Sequence, residues 1–558
     1  MGFGGWEHDA NVAMVHDGIV HSIGEEERFT RRRYQGQPHL NSFNFCMNYS
    51  GIRLKEIDIV SFFMANDFVA KFEGHYLNSI LRRDFKKTIC VDHHAAHAAS
   101  AFFTSSLSES AIITIDGFGD NSSTAVWYGK GTTIIPIFKV RYPHTLGGLW
   151  KTITKYLGYS SRDEGKTMAL ASYGEPRYFD FLMEKIVLHR DGTYRFNIEK
   201  YDITNYLSRR SNFFVPIAGQ QRSSVENLRQ IHFDIAASLQ KVTNTIVNHI
   251  AESAFKATGS QNLCLAGGVA LNSVMNSVLR KESPFAQIYV PPFPGDNGTG
   301  LGSALHICHQ VYGINCNLSN ISPYLGMSLN KKRTGIILDK IGSTLIAKRS
   351  AFNPISTSEH INKKQLIINR EKVTPKLHHY CSSNVVEDTA DFLNNGLVVG
   401  WYQGRSEVGP RALGNRSILA DPRREFMRDY INNAVKHREW FRPCAPSIIE
   451  EACGEYFDSD QCTPFMSFVY QVRDDKKSIL PAITHIDGSA RVQTVSKTQN
   501  PLFYNLLKAF EKRSGIPVLL NTSFNDREPI VNTQEEAICC FIRTNIDILV
   551  IGDYIISK

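Results

Sequence analysis

A chain of 558 residues is too long for a single hydrophobic core, and it implies two to four domains. An apolar share of 42% with 21% charged residues excludes a disordered or fibrous chain, and no run of eighteen apolar residues marks a membrane span. The net charge of +8 suits anionic small molecules and gives no argument for nucleic acid. Eleven scattered cysteines without a C-x-x-C pair, behind an N-terminus lacking signal-peptide character, read as reduced thiols in a cytoplasm.

Residues 11–24 form two short β-rich runs around Asp17-Gly18, a hairpin signal. His8-Asp9 stands ahead of them. Behind them, Glu25 to Arg33 reads as a solvated charged run from which one or two arginines reach an anion. His93 and His97 then fall four residues apart in an alanine-rich stretch, so a helix stacks both imidazoles on one face. Two neutral imidazoles so placed suit a divalent transition metal. His94 points elsewhere and would support the site or touch substrate. The Glu of the zinc-protease pattern His-Glu-x-x-His is missing.

Three strands follow at 111–115, 123–128 and 132–140, and Asp116 ends the first beside glycines, where α/β folds place ligand groups. Gly165-Lys166 is not a Walker loop. The apolar strand at 262–266 runs into Gly267-Gly268 and Asn272, a turn whose N–H groups could cradle phosphate. Asp296 sits in a Pro/Gly loop ahead of a helix. As a fourth partner for His93, His97 and Asp116 it completes a set suited to iron or zinc.

Residues 313–385 alternate polar and short apolar runs and read as a connection between domains. From 386 a second architecture begins with a helix at 386–395 and a strand at 398–402. Arg405, Arg411 and Arg416 lie among Gly/Pro turns, followed by Lys436, Arg438, Arg442 and Arg491. A strand at 518–523 ends in Asn521, Thr522 and Ser523. Guanidinium forks with amide and hydroxyl donors at strand ends read as a nucleotide-polyphosphate pocket.

Several stretches together resemble the O-carbamoyltransferase family that includes nodulation protein NodU and the cephalosporin and tobramycin carbamoyltransferases. They are His8-Asp9-Ala10, Glu25–Thr30, His93–Ala98, Ile115-Asp116-Gly117, Leu265–Val269 with Asn272, Val408–Arg416, Trp440–Ser447 with Lys436, and Leu520–Asp526. The resemblance implies an α/β protein with an N-terminal actin-like ATPase domain (ASKHA, duplicated RNase H-like) over 1–312. It implies a connecting region over 313–385 and a C-terminal YrdC-like α/β domain over 386–558.

The implied activity is ATP-dependent O-carbamoyl transfer. Carbamoyl phosphate and ATP give carbamoyl adenylate in the C-terminal domain, and the N-terminal domain passes the carbamoyl group to a hydroxylated acceptor. The implied metal ligands are His93, His97, Asp116 and Asp296, holding iron(II) or another divalent transition metal, with magnesium accompanying ATP. His8, Asp9 and Arg33 take the catalytic positions, His8 as general base or orienting group. Lys166, Gly267, Gly268, Asn272, Arg411, Lys436, Arg442, Arg491, Asn521 and Ser523 bind carbamoyl phosphate and nucleotide.

The implied protein is cytoplasmic, could form a homodimer, and needs neither nucleic acid nor membrane. Two alternatives are a tRNA threonylcarbamoyl-type transferase, with an amine acceptor, and a non-catalytic nucleotide-binding sensor. Three departures stand out. Gly2, Gly4 and Gly5 would weaken a first strand, Arg33 replaces a lysine common in relatives, and the loop at 525–529 lacks a glycine before Glu528-Pro529.

Overall fold

A computed structural model describes residues 1–63, 85–197, 219–316, 321–344, 377–459 and 461–558. The hairpin expected around Asp17-Gly18 joins β2 (Asn11–His16) to β3 (Ile19–Glu25), and both turn residues take positive φ, at 49° and 75°. That is the turn whose twist matches the flanking strands. These strands belong to a five-stranded sheet with β1 (Gly2–Gly4), β4 (Val60–Phe63) and β5 (Thr88–Val91), in the order β3-β2-β1-β4-β5.

A second sheet contains β6 (Glu109–Gly119), β7 (Ser122–Lys130) and β8 (Thr133–Arg141). After a small hairpin of β9 (Ile186–Leu188) and β10 (Tyr194–Phe196), it is completed by β11 (Asn262–Ala266) and β12 (Gln287–Tyr289), in the order β12-β11-β6-β7-β8. In each sheet the first three strands are antiparallel neighbours, and the fourth and fifth run parallel on the other side of the first. The same order and the same directions recur, so the N-terminal part is a duplicated unit.

The glycine-rich β1 is a central strand, paired on both edges. Its glycines are what the packing requires. A β-carbon at Gly2 would collide with the carbonyl of Gly300, and one at Gly4 with Gly300 N and Thr299 Oγ1. Helix Thr299–His306 therefore lies directly on the strand. The same helix meets helix His93–Phe102 at Gly302, where a β-carbon would strike the carbonyl of Ala96. Small residues on both sides bring backbones together, and this close approach sets the distance between His97 and the loop that carries Asp296.

Helix Gln230–Thr258 runs 29 residues and buries Ile235, Leu239, Val242, Ile246 and Ile250 on one face. That spacing is an amphipathic helix. Of the region expected to connect the domains, Lys331–Thr344 is helical, whereas 317–320 and 345–376 lie outside the described residues.

The C-terminal part holds an eight-stranded mixed sheet: β13 (His378–Cys381), β14 (Val399–Tyr402), β15 (Arg416–Ala420), β16 (Ala445–Ile449), β19 (Gln493–Val495), β20 (Val518–Ser523), β21 (Ile548–Ile551) and β22 (Tyr554–Ser557). A two-stranded ribbon of β17 (Tyr470–Gln471) and β18 (Ser489–Ala490) flanks it. The whole is a mixed α/β protein. Among the described residues no helix is long and apolar enough to cross a membrane.

The charged run at 25–33 is not a solvated loop. It forms helix Glu26–Thr30, with Glu25, Glu26 and Arg28 buried. Glu26 accepts from the amides and side chains of Asn41 and Ser42, at 2.6 to 3.2 Å, and so satisfies the start of helix Leu40–Ser50. Arg28 donates to Glu25 at 3.1 Å and to the carbonyl of Gly409 at 2.6 Å. Arg31 donates to the carbonyls of Ile530 and Pro529 at 2.8 and 2.6 Å and pairs with Glu536 at 3.1 Å. Arg28 and Arg31 are thus spent on the contact between the two halves, with partners hundreds of residues away.

Candidate active site

Helix His93–Phe102 starts where Asp92 Oδ1 accepts from the amide of Ala95 at 2.9 Å, an N-cap. It ends buried along its whole length, with His93 and His97 facing two carboxylates. Asp116 projects from β6, beyond which the pairing with β7 is irregular, and Asp296 opens the turn before helix Thr299–His306. His97 Nε2 lies 3.2 Å from Asp116 Oδ2 and 3.3 Å from Asp296 Oδ1. His93 Nε2 is 3.9 Å from each of the same two atoms.

One ligand atom from each of the four residues falls within 4.8 Å of all the others. His93 Nε2 and both ring nitrogens of His97 are buried without a hydrogen-bond partner. Buried polar atoms are normally satisfied, so two orphaned imidazoles against two carboxylates fit a divalent cation. The nitrogen and oxygen donors suit iron or zinc. Burial alone would lower the His97 pKa, but the Asp116 and Asp296 carboxylates outweigh it and raise it to about 9. The same imidazoles hold Asp116 well below the usual carboxylate range despite its burial.

His94 supports the site without entering it. It bonds Thr114 Oγ1 at 2.8 Å and the carbonyl of Ser122 at 3.2 Å, and burial with the neighbouring imidazoles lowers it to about 3, so the ring is neutral. Asn11 Nδ2 donates to the carbonyls of Asp9 and Asp296, each at 2.9 Å, and fixes the two loops together. His8 sits at the edge of the cluster. Its Nδ1 is 2.8 Å from Asp9 Oδ2 and 3.9 Å from Asp296 Oδ2. Burial opposes its protonation, but Asp9 and Asp296 prevail and raise it to about 9.

The glycine turn differs from expectation. Gly267, at φ +87°, donates its amide to Pro294 at 2.7 Å, and Gly268 donates to Asp116 Oδ2 at 3.0 Å. Neither amide is left for phosphate; the turn orients a carboxylate of the cluster. Asn272 is likewise engaged, capping helix Ser273–Glu282 through Met275 and donating to Gln240 at 3.0 Å.

Arg411 Nη2 reaches the carbonyl of Leu271 at 3.4 Å, so the short helix Gly268–Leu271 touches Asp116 at its start and a C-terminal arginine at its end. Arg411, Arg438, Arg442 and Arg491 form a cationic cluster. Burial lowers Arg411 to about 10 with help from Arg442, and burial followed by Arg411, Arg438 and Arg442 pushes Arg491 well below its usual range. Arg491 Nε and Asn521 Oδ1 are buried without partners. Asn521 Nδ2 is held by Ser447 Oγ at 2.9 Å and Gln493 Oε1 at 3.0 Å, which aims the free oxygen.

Arg33 is exposed and adds its charge against Lys436 and Arg442. Lys436 itself spends its donors inward. Nζ donates to the carbonyls of Ser523 and Asn525 at 2.6 and 2.8 Å, to Ser523 Oγ at 3.1 Å and to Asn525 Oδ1. Lys436 and Ser523 thus brace the Asn-Thr-Ser-Phe-Asn loop from behind. Lys166 crosses from the N-terminal part to Glu439 at 2.8 Å, with Asp163 at 3.1 Å. Glu439 is the member of this region that sequence reasoning had not placed in a role. The signal was an acid flanked by Arg438 and Arg442 in an otherwise basic and aromatic stretch.

Two family models match the chain: the carbamoyltransferase N-terminus over residues 1–80 and 62–305, and the carbamoyltransferase C-terminus over 390–558. Nodulation protein NolNO of Sinorhizobium fredii is 36% identical, covering 99% of this chain and 79% of its own length. Nodulation protein NolO of Bradyrhizobium diazoefficiens is 38% identical over 84% of this chain and 79% of its own. An uncharacterized protein of Synechocystis sp. is 35% identical over 100% of this chain and 96% of its own. With two imidazoles and two carboxylates clustered in its N-terminal part and half-buried guanidiniums in its C-terminal part, the chain belongs to the carbamoyltransferase family and is a carbamoyl-transferring enzyme of the NodU type.

Proposed function

We propose that this enzyme makes carbamoyl adenylate in its C-terminal half and delivers the carbamoyl group to an acceptor hydroxyl in its N-terminal half, in the cytoplasm. In this reading the duplicated sheets over 1–312 are an actin-like ATPase domain, 313–385 connects, and 386–558 is a YrdC-like domain. Carbamoyl phosphate loses phosphate to water. The carbamate oxygen then attacks the α-phosphorus of ATP, and pyrophosphate leaves. The acceptor oxygen attacks the carbamoyl carbon, and AMP departs to leave an O-carbamate.

The observation that carries this reading is the half-buried guanidinium cluster of Arg411, Arg438, Arg442 and Arg491, where the Nε atom of Arg491 and Oδ1 of Asn521 are buried with no hydrogen-bond partner. Donors for phosphoryl oxygens beside an acceptor for a carbamoyl NH₂ suit this substrate. Preorganised guanidiniums stabilise the charge that moves between phosphates. In the other half, His93, His97, Asp116 and Asp296 would hold a divalent cation such as iron(II), which when bound supplies Lewis acidity toward the carbamoyl carbonyl. His8 keeps Nδ1 on Asp9 and offers its other nitrogen to the acceptor. A cation held by Asp296 would offset the carboxylate that favours the imidazolium, and His8 would then take the alcohol proton, an effect worth about 10²–10⁴-fold.

The test is acceptor-free exchange of labelled pyrophosphate into ATP. It should require carbamoyl phosphate, and absence of exchange in metal-loaded protein would overturn the adenylate. Adding candidate hydroxylated acceptors should then release AMP with a product heavier by one carbamoyl group in place of hydrogen.

A further inference from the structure

Glu439 occupies an unusual position. Its carboxylate lies 2.8 Å from Lys166 Nζ on the N-terminal side and 3.8 Å from Arg442 Nη1 on the C-terminal side. Despite burial, Lys166 and Arg442 hold it below the usual carboxylate range, so it is ionised. The acids that raise Arg442 are Glu439 and Asp163, and both also pair with Lys166. The neighbouring residues in the sequence anchor this loop to the other half. Phe441 meets Tyr159 edge-on at 6.4 Å, Trp440 meets Tyr173 at 5.3 Å, and Lys166 lies over the Tyr159 ring at 5.3 Å. One short stretch thus alternates charges facing the cationic cluster with rings seated on the N-terminal half.

We infer that Glu439 is an internal stand-in for a phosphate: it occupies Lys166 and Arg442 until an anionic substrate arrives, and then hands Lys166 to that substrate's phosphate. Glu439 is a positioning residue, acting through Lys166 and touching no reacting atom. The inference rests on the C-terminal anion site described above. A carboxylate and a phosphate oxygen compete for the same donors, so binding of phosphate between the halves must displace the acid. Glu439 gives up Lys166 only when the C-terminal site is filled, leaving Asp163 as the acid beside it, and this ties readiness of the N-terminal half to the first reaction.

Inorganic pyrophosphate binding, measured by calorimetry on the full chain, tests this. Glu439→Gln keeps the shape and removes the charge, and it should tighten binding by about three- to tenfold. Adding Lys166→Met to that variant should abolish the gain. Steady-state kinetics should show a lower KM for carbamoyl phosphate in Glu439→Gln, with loss of coupled product release per ATP consumed. A contact of purely structural value would instead leave binding unchanged or weaker, and that result overturns the inference. A gain that persists without Lys166 overturns it as well, because the charge then acts on the arginines alone. If the unaltered protein binds no pyrophosphate, the C-terminal anion site itself fails, and this inference falls with it.

Discussion

The amide of Gly268 donates to Oδ2 of Asp116 at 3.0 Å, so a turn that looks built for phosphate holds a carboxylate of the cluster instead. That hydrogen bond fixes which lone pairs face the imidazoles. Partners one step removed from a metal commonly matter about 10–100-fold in affinity. Gly268→Pro removes the donor at the first position of a short helix, where proline is tolerated. Its affinity for iron(II) or zinc(II) should fall by about 10–100-fold, whereas Gly268→Ala, whose β-carbon sits 3.4 Å from Asp116 Oδ1, should change it less. Metal titration of both variants checks this, and equal affinities would remove the amide from the account.

The two half-reactions should separate by mutation. His93→Ala takes one imidazole from the four-ligand cluster and should abolish metal retention, with transfer to acceptor reduced by at least about 10²-fold and pyrophosphate exchange intact. Arg411→Ala should cut exchange by about 10²–10³-fold while metal content stays at the level of the unaltered enzyme. Loss of the same half-reaction in both variants would break the division of labour between the halves.

What the sequence disclosed depended on how local the cause was. The Asp17-Gly18 hairpin was legible because a positive-φ turn leaves its own residue signature. His93 and His97 were legible as a pair because helical spacing puts them on one face. Asp116 and Asp296, 180 residues apart, were joined to them by the chemistry of the donor set and by a family resemblance, because no local rule ties residues so far apart. Glu25, Glu26, Arg28 and Arg31 were misread as solvated because nothing in a charged run shows that its partners are Ser42, Gly409 and Glu536. Lys436 carried the same ambiguity: a lysine near a phosphate motif looks like a ligand, and only the fold shows its donors turned toward Ser523 and Asn525. The 29-residue helix Gln230–Thr258 is local in cause, since its apolar residues recur at helical spacing, but it carries none of the chemistry of the site.

Buried neutral imidazoles should make the fold sensitive to acid. His39 lies between Phe3 and Trp6, bonded to the carbonyl of Gly4 at 2.7 Å, and burial lowers it to about 4 against that bond. His309 stacks on Phe103 with ring centroids 4.0 Å apart, and burial lowers it to about 4 as well. The unfolded chain, at about 6.5, takes these protons first. Their contribution is therefore complete above pH 6.5 and is lost as pH falls toward 4, up to about 3 kcal/mol each. The urea midpoint should drop between pH 7 and 4.5, and His309→Phe should flatten that drop. Parallel pH profiles for the variant and the unaltered protein would show that His309 is not protonated on unfolding.

The contact between β1 and helix Thr299–His306 should control the metal site from a distance. A β-carbon at Gly4 would meet Gly300 N and Thr299 Oγ1, so Gly4→Ala must push back the helix that follows Asp296. Overpacking of this kind costs about 1–3 kcal/mol, and the displaced Asp296 should weaken metal binding at the same time. Gly165→Ala is the contrast: Gly165 lies in helix Glu164–Ala171 with nothing within 4 Å of its added carbon. There alanine should stabilise by about 0.5–1 kcal/mol, through helix propensity and a less flexible unfolded chain. Denaturation and metal titration on the two variants decide the matter. If Gly4→Ala loses stability but keeps full metal affinity, the close approach of strand and helix serves packing alone and does not set the position of Asp296.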